Sequence, residues 1–325
     1  MKNVTVVIPN YNGIKYIADC LQALREQKLQ EADSEVLVVD NGSADGSAEV
    51  VEEHFPEVHL IRLPENTGFC HAVNVGIEAS ETEYVILLNN DTKVYPDFVE
   101  ALYQSIHSRK DAFAVSARML MWDRPELLDD AGDRYNALGW AYARGKGKPA
   151  GKFDRPVKVF AACGGAAIYR KGIFEEIGLF DEKHFAYLED LDIGYRARIH
   201  GWKNYYEPAA KVLHFGSASS GARYNEWKTR IAAANSVYVV YKNMPLVQFL
   251  LNLPFLLAGY FIKFLFFCRK RMGILYLKGI GDGFKKSFSP EGRKKKVRFC
   301  VRNLGTYVGI QLELYVNLVR WFVGR

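Results

Sequence analysis

Four short apolar segments in the first ninety residues limit the possible folds of this chain more than any other feature. Strands are predicted at 4–8, 35–40, 59–63 and 84–90, and helical patterns lie between them. Strands that alternate with helices of about ten to fifteen residues indicate βαβ units and a mainly parallel sheet. We therefore predict an α/β fold.

Each of these strands runs directly into polar residues. The carboxyl ends of parallel strands lie along one edge of a sheet, which is where open α/β sheets bind their ligands. The pattern therefore predicts a polar ligand site at this edge. The residues concerned are Asn10, Asn12, Asp40, Asn41, Asn66, Asn89, Asn90 and Asp91.

Two interpretations are open for the acidic residues of this group. Asp91 either holds a divalent cation with oxygen ligands or caps the helix that follows. Asp40 either accepts a hydrogen bond from a nucleotide base or sugar hydroxyl, or closes an Asx-turn with the glycine-rich residues after it.

The strand and helix pattern loosens after about residue 110. Residues 122–157 are rich in loop-forming residues. Strands are predicted at 113–120, 160–169 and 210–214. The segment 180–202 starts with aromatic and acidic residues, then becomes helical, and its helix ends at Gly201, a plausible C-cap.

Three carboxylates lie within four residues near the start of that helical segment: Glu189, Asp190 and Asp192. Asp192 and Arg196 have the spacing of an ordinary helical ion pair, and acids at a helix start are favoured by the helix dipole. Clustered carboxylates also raise one another's pKa toward that of a useful general base. His214, at the end of a strand, is either a hydrogen-bonded structural residue or a ligand.

Several classes of protein are disfavoured by what the sequence lacks. It has no P-loop, no GxGxxG and no GxSxG, so a nucleotide bound here needs another anchor for its phosphates, usually a metal. Five scattered cysteines without CxxC spacing argue against a disulfide framework or a zinc site. The N-terminal MKNVTVVIPNYNG turns polar too soon for a signal peptide.

Charge divides the chain into two parts. Residues 246–325 contain 15 Lys and Arg but three acids, a net charge of +12, whereas residues 1–245 have a net charge of −6. The segment 246–271 is the most apolar of the chain, but Asn252, Pro254 and Lys263 interrupt it. Helices lying in a membrane interface, with cations toward anionic headgroups, fit this composition. A helical unit that packs on the core or forms an oligomer is the alternative, and nothing in the acidic body favours nucleic acid.

Six ordered motifs, spread over residues 3–220, resemble the inverting family 2 glycosyltransferases of the GT-A fold. They are IPNYNG, VVDNGSADGS, ENTGFCHAVNVG, LLNNDT, FDEKHFAYLEDLDIGYRARIHGW and the His214-Phe-Gly sequence. The segment DDAGDRYNALGWAYARG (129–145) is similar to the bacterial rhamnosyltransferase-like members.

The resemblance implies roles for individual residues. Asp190, with Glu189, would be the general base, and Asp91 would hold Mg²⁺ or Mn²⁺ on the donor diphosphate, with His214 as a second ligand. Asn89 replaces the first carboxylate of the family's DxD motif. The nucleotide-sugar would be bound by Pro9, Tyr11, Asn12, Asp40, Asn66, Gly68, Asn74, Asn89, Asn90 and Asp91.

We therefore expect a GT-A catalytic domain at 1–245, with a nucleotide-binding half (1–110) and an acceptor-binding half (111–245). A C-terminal membrane-associated helical region follows at 246–325. The expected reaction moves a sugar, with L-rhamnose from dTDP-rhamnose as one candidate, from a dTDP- or UDP-sugar to a polyprenyl-diphosphate-linked glycan.

The expected location is the cytoplasmic face of the cell membrane, peripheral or monotopic on its anionic surface, with a homo-oligomer through the C-terminal helices as one possibility. Two alternatives remain at this point: a polyprenyl-phosphate sugar synthase, and a non-catalytic polysaccharide-assembly protein that keeps the fold without the activity.

Overall fold

The computed structural model describes residues 2–216 and 225–323. The end of the span 3–220 that carries the six motifs, residues 217–220, therefore lies outside the described part. In its first half, short strands alternate with helices as predicted. The elements are β1 (Val4–Asn10), α1 (Ile17–Arg25), β2 (Ser34–Asn41), α2 (Ser47–His54), β3 (His59–Leu63), α3 (Phe69–Ala79), β4 (Tyr84–Leu88), β5 (Thr92–Val94) and α4 (Phe98–His107).

The second half completes the same sheet and adds helices to it. Its strands are β6 (Ala112–Met121), β7 (Leu128–Asp130), β8 (Asp133–Tyr135), β9 (Ala141–Ala143), β10 (Val157–Val159), β11 (Ala166–Arg170) and β12 (Lys203–His214). Its helices are α5 (Ile173–Ile177), α6 (Glu189–Ile199) and α7 (Glu226–Asn243), with 3₁₀ turns at Ala150–Lys152 and Glu182–His184.

The central sheet has the strand order β10-β12-β6-β11-β4-β1-β2-β3. β4, β1, β2 and β3 are parallel neighbours, as are β12 and β6, whereas β11 runs antiparallel to both β4 and β6. The prediction of an α/β fold with a mainly parallel central sheet is therefore confirmed. Apolar clusters on both faces of the sheet form the core.

Two predicted segments differ from the observed elements. The strand predicted at 160–169 begins only at Ala166. The helix within 180–202 starts at Glu189, as predicted, and spans Glu189–Ile199; it follows Phe185, Tyr187 and Leu188, whose positive φ angles no helix accommodates. Gly201, with φ +95°, follows that helix, as expected for a C-terminal glycine. The loop-rich segment 122–157 also contains three short strands.

The C-terminal region is helical, as predicted. It contains α8 (Leu246–Arg269), α9 (Gly273–Phe288), α10 (Pro290–Lys294), a 3₁₀ turn (Val301–Asn303) and α11 (Leu304–Val323). A buried cluster joins it to the sheet-bearing part: Leu256 of α8 and Leu314 of α11 pack with Leu191 and Tyr195 of α6. Among the described residues, α8 is the one helix long and apolar enough to cross a membrane.

Two glycines allow α9 to lie directly on α7. A Cβ at Gly279 would be 2.5 Å from the carbonyl oxygen of Arg230, and one at Gly283 would be 2.6 Å from that of Ala234. Neither carbonyl belongs to a flexible side chain, so the helices would have to separate. α7 lies before the predicted boundary at 245 and α9 after it, so this contact couples the two parts of the chain.

We predict that Gly283→Ala destabilises the protein by about 1–3 kcal/mol, the usual cost of overpacking. Gly281→Ala is the matched control, because a Cβ there has nothing within 4 Å and an alanine in a helix interior is favoured over glycine. Chemical unfolding of the full chain measures both. Equal stability of the two variants would contradict the close packing of α7 and α9.

Candidate functional site

A network of buried amides joins the carboxyl ends of β1, β2 and β4. Asn10 Nδ2 donates to Asp40 Oδ1 at 2.8 Å, and Asn10 Oδ1 accepts from Asn90 Nδ2 at 2.7 Å. A Cβ at Gly13 would overlap both amides. Asn10 is fully buried. It is the organising residue of this edge, and sequence reasoning noted its position but did not include it among the site residues.

Asp40 closes the turn after β2, although its bond reaches three residues on rather than the two of an Asx-turn. Its Oδ2 accepts the backbone N–H of Ser43 at 3.1 Å, while Oδ1 is bonded to Asn10. On the next loop, Asn66 Oδ1 accepts from the side chain of Asn41 at 3.1 Å and from the backbone N–H of Gly68 at 3.0 Å. The ends of β2 and β3 are thereby fixed together.

The loop after β1 leaves polar and aromatic surface accessible. Tyr11 is 37% exposed, and Asn12 has φ 51° and is exposed, while its Oδ1 accepts from Ala44 N at 3.0 Å. Pro9 is half-buried at the end of β1. The structure brings these residues to the same edge as Asp40, as the sequence predicted.

Asn74 has a different environment from the other predicted nucleotide-binding residues. It is buried in α3, its Nδ2 donates to Phe180 O at 2.8 Å, and its Oδ1 accepts from Phe180 N at 3.0 Å. Its amide is therefore engaged in fixing the segment that leads to α6.

Asp91, which follows β4, lies beside the end of β12. His214 Nε2 is 3.4 Å from Asp91 Oδ1, and His214 Nδ1 is 2.7 Å from Asp129 Oδ2. The two carboxylates raise the pKa of His214 to about 9 against the effect of burial, and His214 and Lys146 lower that of Asp129 to about 2. The capping interpretation of Asp91 is wrong, because the next helix begins at Phe98 with Asp97 at its N-cap.

The Asp91 and His214 pair fits a divalent cation that also binds a diphosphate. Neighbouring ligands on an octahedral ion at about 2.1 Å lie roughly 3 Å apart, close to the observed separation. The described residues contain no cluster of three or more His, Cys, Asp or Glu with metal-site geometry. Mg²⁺ and related ions commonly use one or two protein ligands together with substrate phosphates, which suits a two-ligand site.

The start of α6 places two acids beside the turn before β11. A Cβ at Gly164 would overlap Asp190 Oδ1, and Asn89 N donates to Gly165 O at 2.9 Å. The Gly164–Gly165 pair thus separates Asp190 from the segment that carries Asp91. Within the described part of the chain, Asp190 Oδ1 and Glu189 Oε2 are buried without a hydrogen-bond partner.

Four clustered carboxylates raise one another's pKa. Burial, with Asp190, raises the pKa of Asp133 to about 7, and burial, with Asp133 and Asp192, raises that of Glu189 to about 7. Burial and Glu189 raise the pKa of Asp190, and burial and Asp133 raise that of Asp130. Asp130 and Asp133 were missed by sequence reasoning, although the DDAGD run was a visible signal.

Asp192 does not belong to this cluster. Its pKa is lowered, despite burial, by Lys242 and Arg196, whose charged groups lie 2.8 Å and 3.0 Å from Asp192 Oδ2. Asp192 and Arg196 therefore form the ordinary helical ion pair that was one of the sequence interpretations.

The strained loop before α6 is held by one side chain of α7. Asn235 Nδ2 lies 2.8–2.9 Å from three carbonyl oxygens, those of His184, Ala186 and Tyr187. Phe185 and Tyr187 also pack edge-on against Trp227 of α7. Sequence reasoning missed Asn235, because a single amide in a helix carries no local signal.

With this geometry established, three comparisons with known proteins identify the family. A model of the family described as Glycosyl transferase family 2 matches residues 5–178. The N-acetylglucosaminyl-diphospho-decaprenol L-rhamnosyltransferase of Mycobacterium tuberculosis (strain ATCC 25618 / H37Rv) is 31% identical over 219 residues, covering 57% of this chain and 68% of that protein.

Two solved structures share the fold. The crystal structure of GalNAc-T7 with UDP, GalNAc and Mn²⁺ has a TM-score of 0.61 at 18% identity, covering 74% of this chain and 48% of that chain. The mannosyltransferase PcManGT from Pyrobaculum calidifontis, in complex with GDP-Man and Mn²⁺, has a TM-score of 0.54 at 16% identity, covering 98% of this chain and 86% of that one. This chain therefore spans about half the length of the GalNAc-T7 chain.

The chain belongs to glycosyltransferase family 2, since the family model matches more than half of it. The family predicted from the six motifs is confirmed, and the protein is a glycosyltransferase.

We predict that Asn235→Ala destabilises the protein by about 1–3 kcal/mol, because three carbonyl groups lose a shared donor. Backbone amides of 184–190 should then exchange hydrogen faster while the central strands keep their protection. Ser236→Ala is the control, since its hydroxyl donates to Ala233 O within α7 and not to the loop before α6. Unchanged exchange at 184–190 in Asn235→Ala would contradict the role of this amide.

Proposed function

We propose that this glycosyltransferase is metal-dependent and inverting, and that it moves a sugar from a nucleotide-sugar to a lipid-linked glycan at a membrane surface. One observation carries the proposal: Gly164 lies against Asp190 Oδ1, and Gly165 O accepts the backbone N–H of Asn89, two residues before Asp91, which pairs with His214. Cation ligands and a candidate base near the same turn are what a single displacement requires.

The donor nucleoside occupies the edge formed by the ends of β1, β2 and β3. Tyr11 and Asn12 offer exposed surface to it, and the Asn10 network holds Asp40 in place behind them. Asn66 and Gly68 close the far side of this pocket. Asn74 is left out of the donor site because its amide is engaged with Phe180.

Asp91 and His214 would hold Mg²⁺ or Mn²⁺ at the donor diphosphate, where a bound cation would supply positive charge for the leaving group. Asp129 accepts a hydrogen bond from His214 Nδ1 and so directs Nε2 toward Asp91. A ligating histidine is neutral, so a proton leaves His214 when the site fills. Asn89 supplies an amide dipole where the family has the first carboxylate of its motif.

Asp190 removes the proton from the acceptor hydroxyl as that oxygen attacks the anomeric carbon. Its pKa is raised by burial and by Glu189, which makes it a stronger base than an exposed aspartate. Because attack and departure occur on opposite faces of the sugar, the configuration at the anomeric carbon inverts.

The sugar and acceptor follow from similarity to the mycobacterial relative. By its name, that enzyme transfers L-rhamnose to N-acetylglucosaminyl-diphospho-decaprenol. We propose L-rhamnose from dTDP-rhamnose as the donor and a polyprenyl-diphosphate-linked glycan as the acceptor. A thermal-shift panel of dTDP-, UDP- and GDP-sugars with Mn²⁺ tests the donor.

The exposed surface of α8 and α11 supports a membrane location at the cytoplasmic face. α8 buries Gln248 and Asn252, yet Leu250, Leu257 and Phe261 are more than half exposed. A helix with amides inside and leucines outside is the reverse of a water-facing helix, and large exposed apolar patches mark membrane or protein interfaces. The exposed basic residues of 293–302 would face anionic headgroups.

We predict that Asp190→Asn retains nucleotide-sugar binding within a few-fold but loses transfer by about 10²-fold or more, the scale of a general base. In the wild type, transfer should fall as pH drops through the raised pKa of Asp190, because only the ionised carboxylate accepts a proton. Asp123→Asn, at an exposed site, is the control. A near wild-type rate in Asp190→Asn would show that another group is the base.

Chelation of the metal, or Asp91→Ala, should abolish transfer and weaken nucleoside diphosphate binding while circular dichroism shows an intact fold. His214→Ala should cause a milder form of the same defect, because Asp91, the negatively charged ligand, remains. Asp97→Ala is the matched control, since Asp97 is an exposed acid on the same segment. Full activity in excess EDTA would refute the metal assignment.

The full chain should bind vesicles that contain phosphatidylglycerol, and high salt should release part of it while detergent releases all. Lys294→Glu should weaken this binding several-fold, because each cation near an anionic surface contributes about 1 kcal/mol before screening. Lys110→Glu is the control, an exposed lysine remote in the chain. A full-length protein that ignores anionic vesicles in flotation assays would refute the membrane proposal.

A further inference from the structure

A half-buried lysine of the C-terminal region contacts the side chain that holds the loop before α6. Lys286 of α9 donates from Nζ to Asn235 Oδ1 at 2.5 Å. The same ammonium group lies 5.8 Å from the ring centroid of Tyr238. Burial lowers the pKa of Lys286 to about 8, and Asp181 opposes this shift. The group therefore remains a charged donor at neutral pH.

This contact fixes the orientation of the Asn235 amide. Asn235 is fully buried, and its Nδ2 donates to three carbonyl oxygens of the loop, so its Oδ1 needs a donor from another segment. Lys286 supplies that donor. An amide has a donor side and an acceptor side, and only the observed arrangement satisfies both the carbonyl groups and the ammonium group. Lys286 thus holds the amide in the orientation on which the loop depends.

The loop leads directly into the helical turn that carries the candidate base. Phe185, Tyr187 and Leu188 have φ angles of 61°, 69° and 67°, and surrounding contacts must stabilise such a backbone. Asp192 N donates to Leu188 O at 3.0 Å, which closes the first turn of α6. Asp190 lies on this turn, so its position depends on the conformation of the loop.

Other contacts between the C-terminal region and the loop are indirect or exposed. Gly279 and Gly283 bring the backbone of α9 against α7, the helix that carries Asn235. Lys183, at the start of the loop, lies 3.4 Å from Glu291 of α10, but both side chains reach solvent. Exposed ion pairs contribute little to stability. The Lys286 hydrogen bond is therefore the contact to test.

We propose that Lys286 is a positioning residue for the transfer reaction, which acts through Asn235 to hold the strained loop and Asp190 in place. α9 belongs to the C-terminal region, so the helices after residue 245 are part of the catalytic unit as well as a membrane-associated region. The inference deepens the proposed function, since it rests on Asp190 being the base.

Lys286→Met tests the proposal in the full-length protein, because it removes the ammonium group but keeps an unbranched apolar stem. We expect backbone amides of 184–190 to exchange hydrogen about tenfold faster while the central strands keep their protection. Lys285→Met is the matched control, since Lys285 is the exposed neighbour on the same helix. It should leave the exchange of 184–190 within about twofold of the wild type.

Transfer kinetics use dTDP-rhamnose and a synthetic N-acetylglucosaminyl-diphospho-farnesol. In Lys286→Met, kcat should fall about tenfold, because a displaced base is poorly aligned with the acceptor hydroxyl. The KM for the donor should stay within about twofold, because separate bonds of Asn66 to Asn41 and Gly68 fix the donor edge. Lys285→Met should change neither constant.

A double-mutant cycle shows whether the lysine acts through the amide. In an Asn235→Ala background, Lys286→Met should change kcat and the exchange of 184–190 by less than about twofold. Fully additive effects would overturn the proposal. Faster exchange throughout the fold in Lys286→Met would overturn it as well, because Lys286 would then be a general structural contact.

The two measurements also separate this inference from the proposed function. Normal transfer by Lys286→Met, with active wild type, refutes the positioning role alone. A wild type that transfers nothing refutes the proposed function, and exchange then decides the rest. Selective opening of 184–190 would leave Lys286 as the residue that holds this loop, whereas unchanged exchange would refute that role too.

Discussion

The buried ammonium group of Lys242 connects α7 to α6 and to the segment that leads into α6. It lies 2.7 Å from Asp181 and 2.8 Å from Asp192, and Arg196 completes a set of two cations and two anions that are almost wholly buried. Removing one partner of such a set typically costs about 3–5 kcal/mol, because an uncompensated charge stays buried. The position of α6, and with it the position of Asp190, depends on this set, since Lys242 belongs to α7.

The charges around α6 shift the pKa values of its acids in opposite directions. Asp192 has cations beside it and a lowered pKa, so it stays ionised and structural. Asp190 and Glu189 have other carboxylates beside them and raised pKa values, that of Glu189 to about 7, so both hold a proton more readily than an exposed acid does. Asp190 and Asp192 thus lie two residues apart on α6 but differ in role. The reason is that α7 supplies the positive charge of Lys242 to the face of α6 that carries Asp192 and none to the face that carries Asp190.

The sequence predicted the sheet well because the apolar strands and their polar ends are local patterns. It also predicted that Asp91 and His214 would meet, but only through likeness to a family. It could not reveal Asn10 as the hub of the edge, the carboxylates of Asp130 and Asp133 beside Asp190, or the three carbonyl contacts of Asn235. Those depend on side chains brought together from distant segments. The positive φ angles of the residues before α6 could not be predicted for the same reason, since their strain is maintained by tertiary contacts.

Electron–nuclear double resonance of bound Mn²⁺ tests the central claim most directly. The full-length protein, labelled with ¹⁵N-histidine, is mixed with Mn²⁺ and a nucleoside diphosphate. We predict hyperfine couplings from both ³¹P and ¹⁵N in one complex, and loss of the ¹⁵N coupling alone in His214→Ala. A ³¹P coupling without any ¹⁵N coupling in the wild type would contradict the account, because the cation would then reach the donor diphosphate without His214.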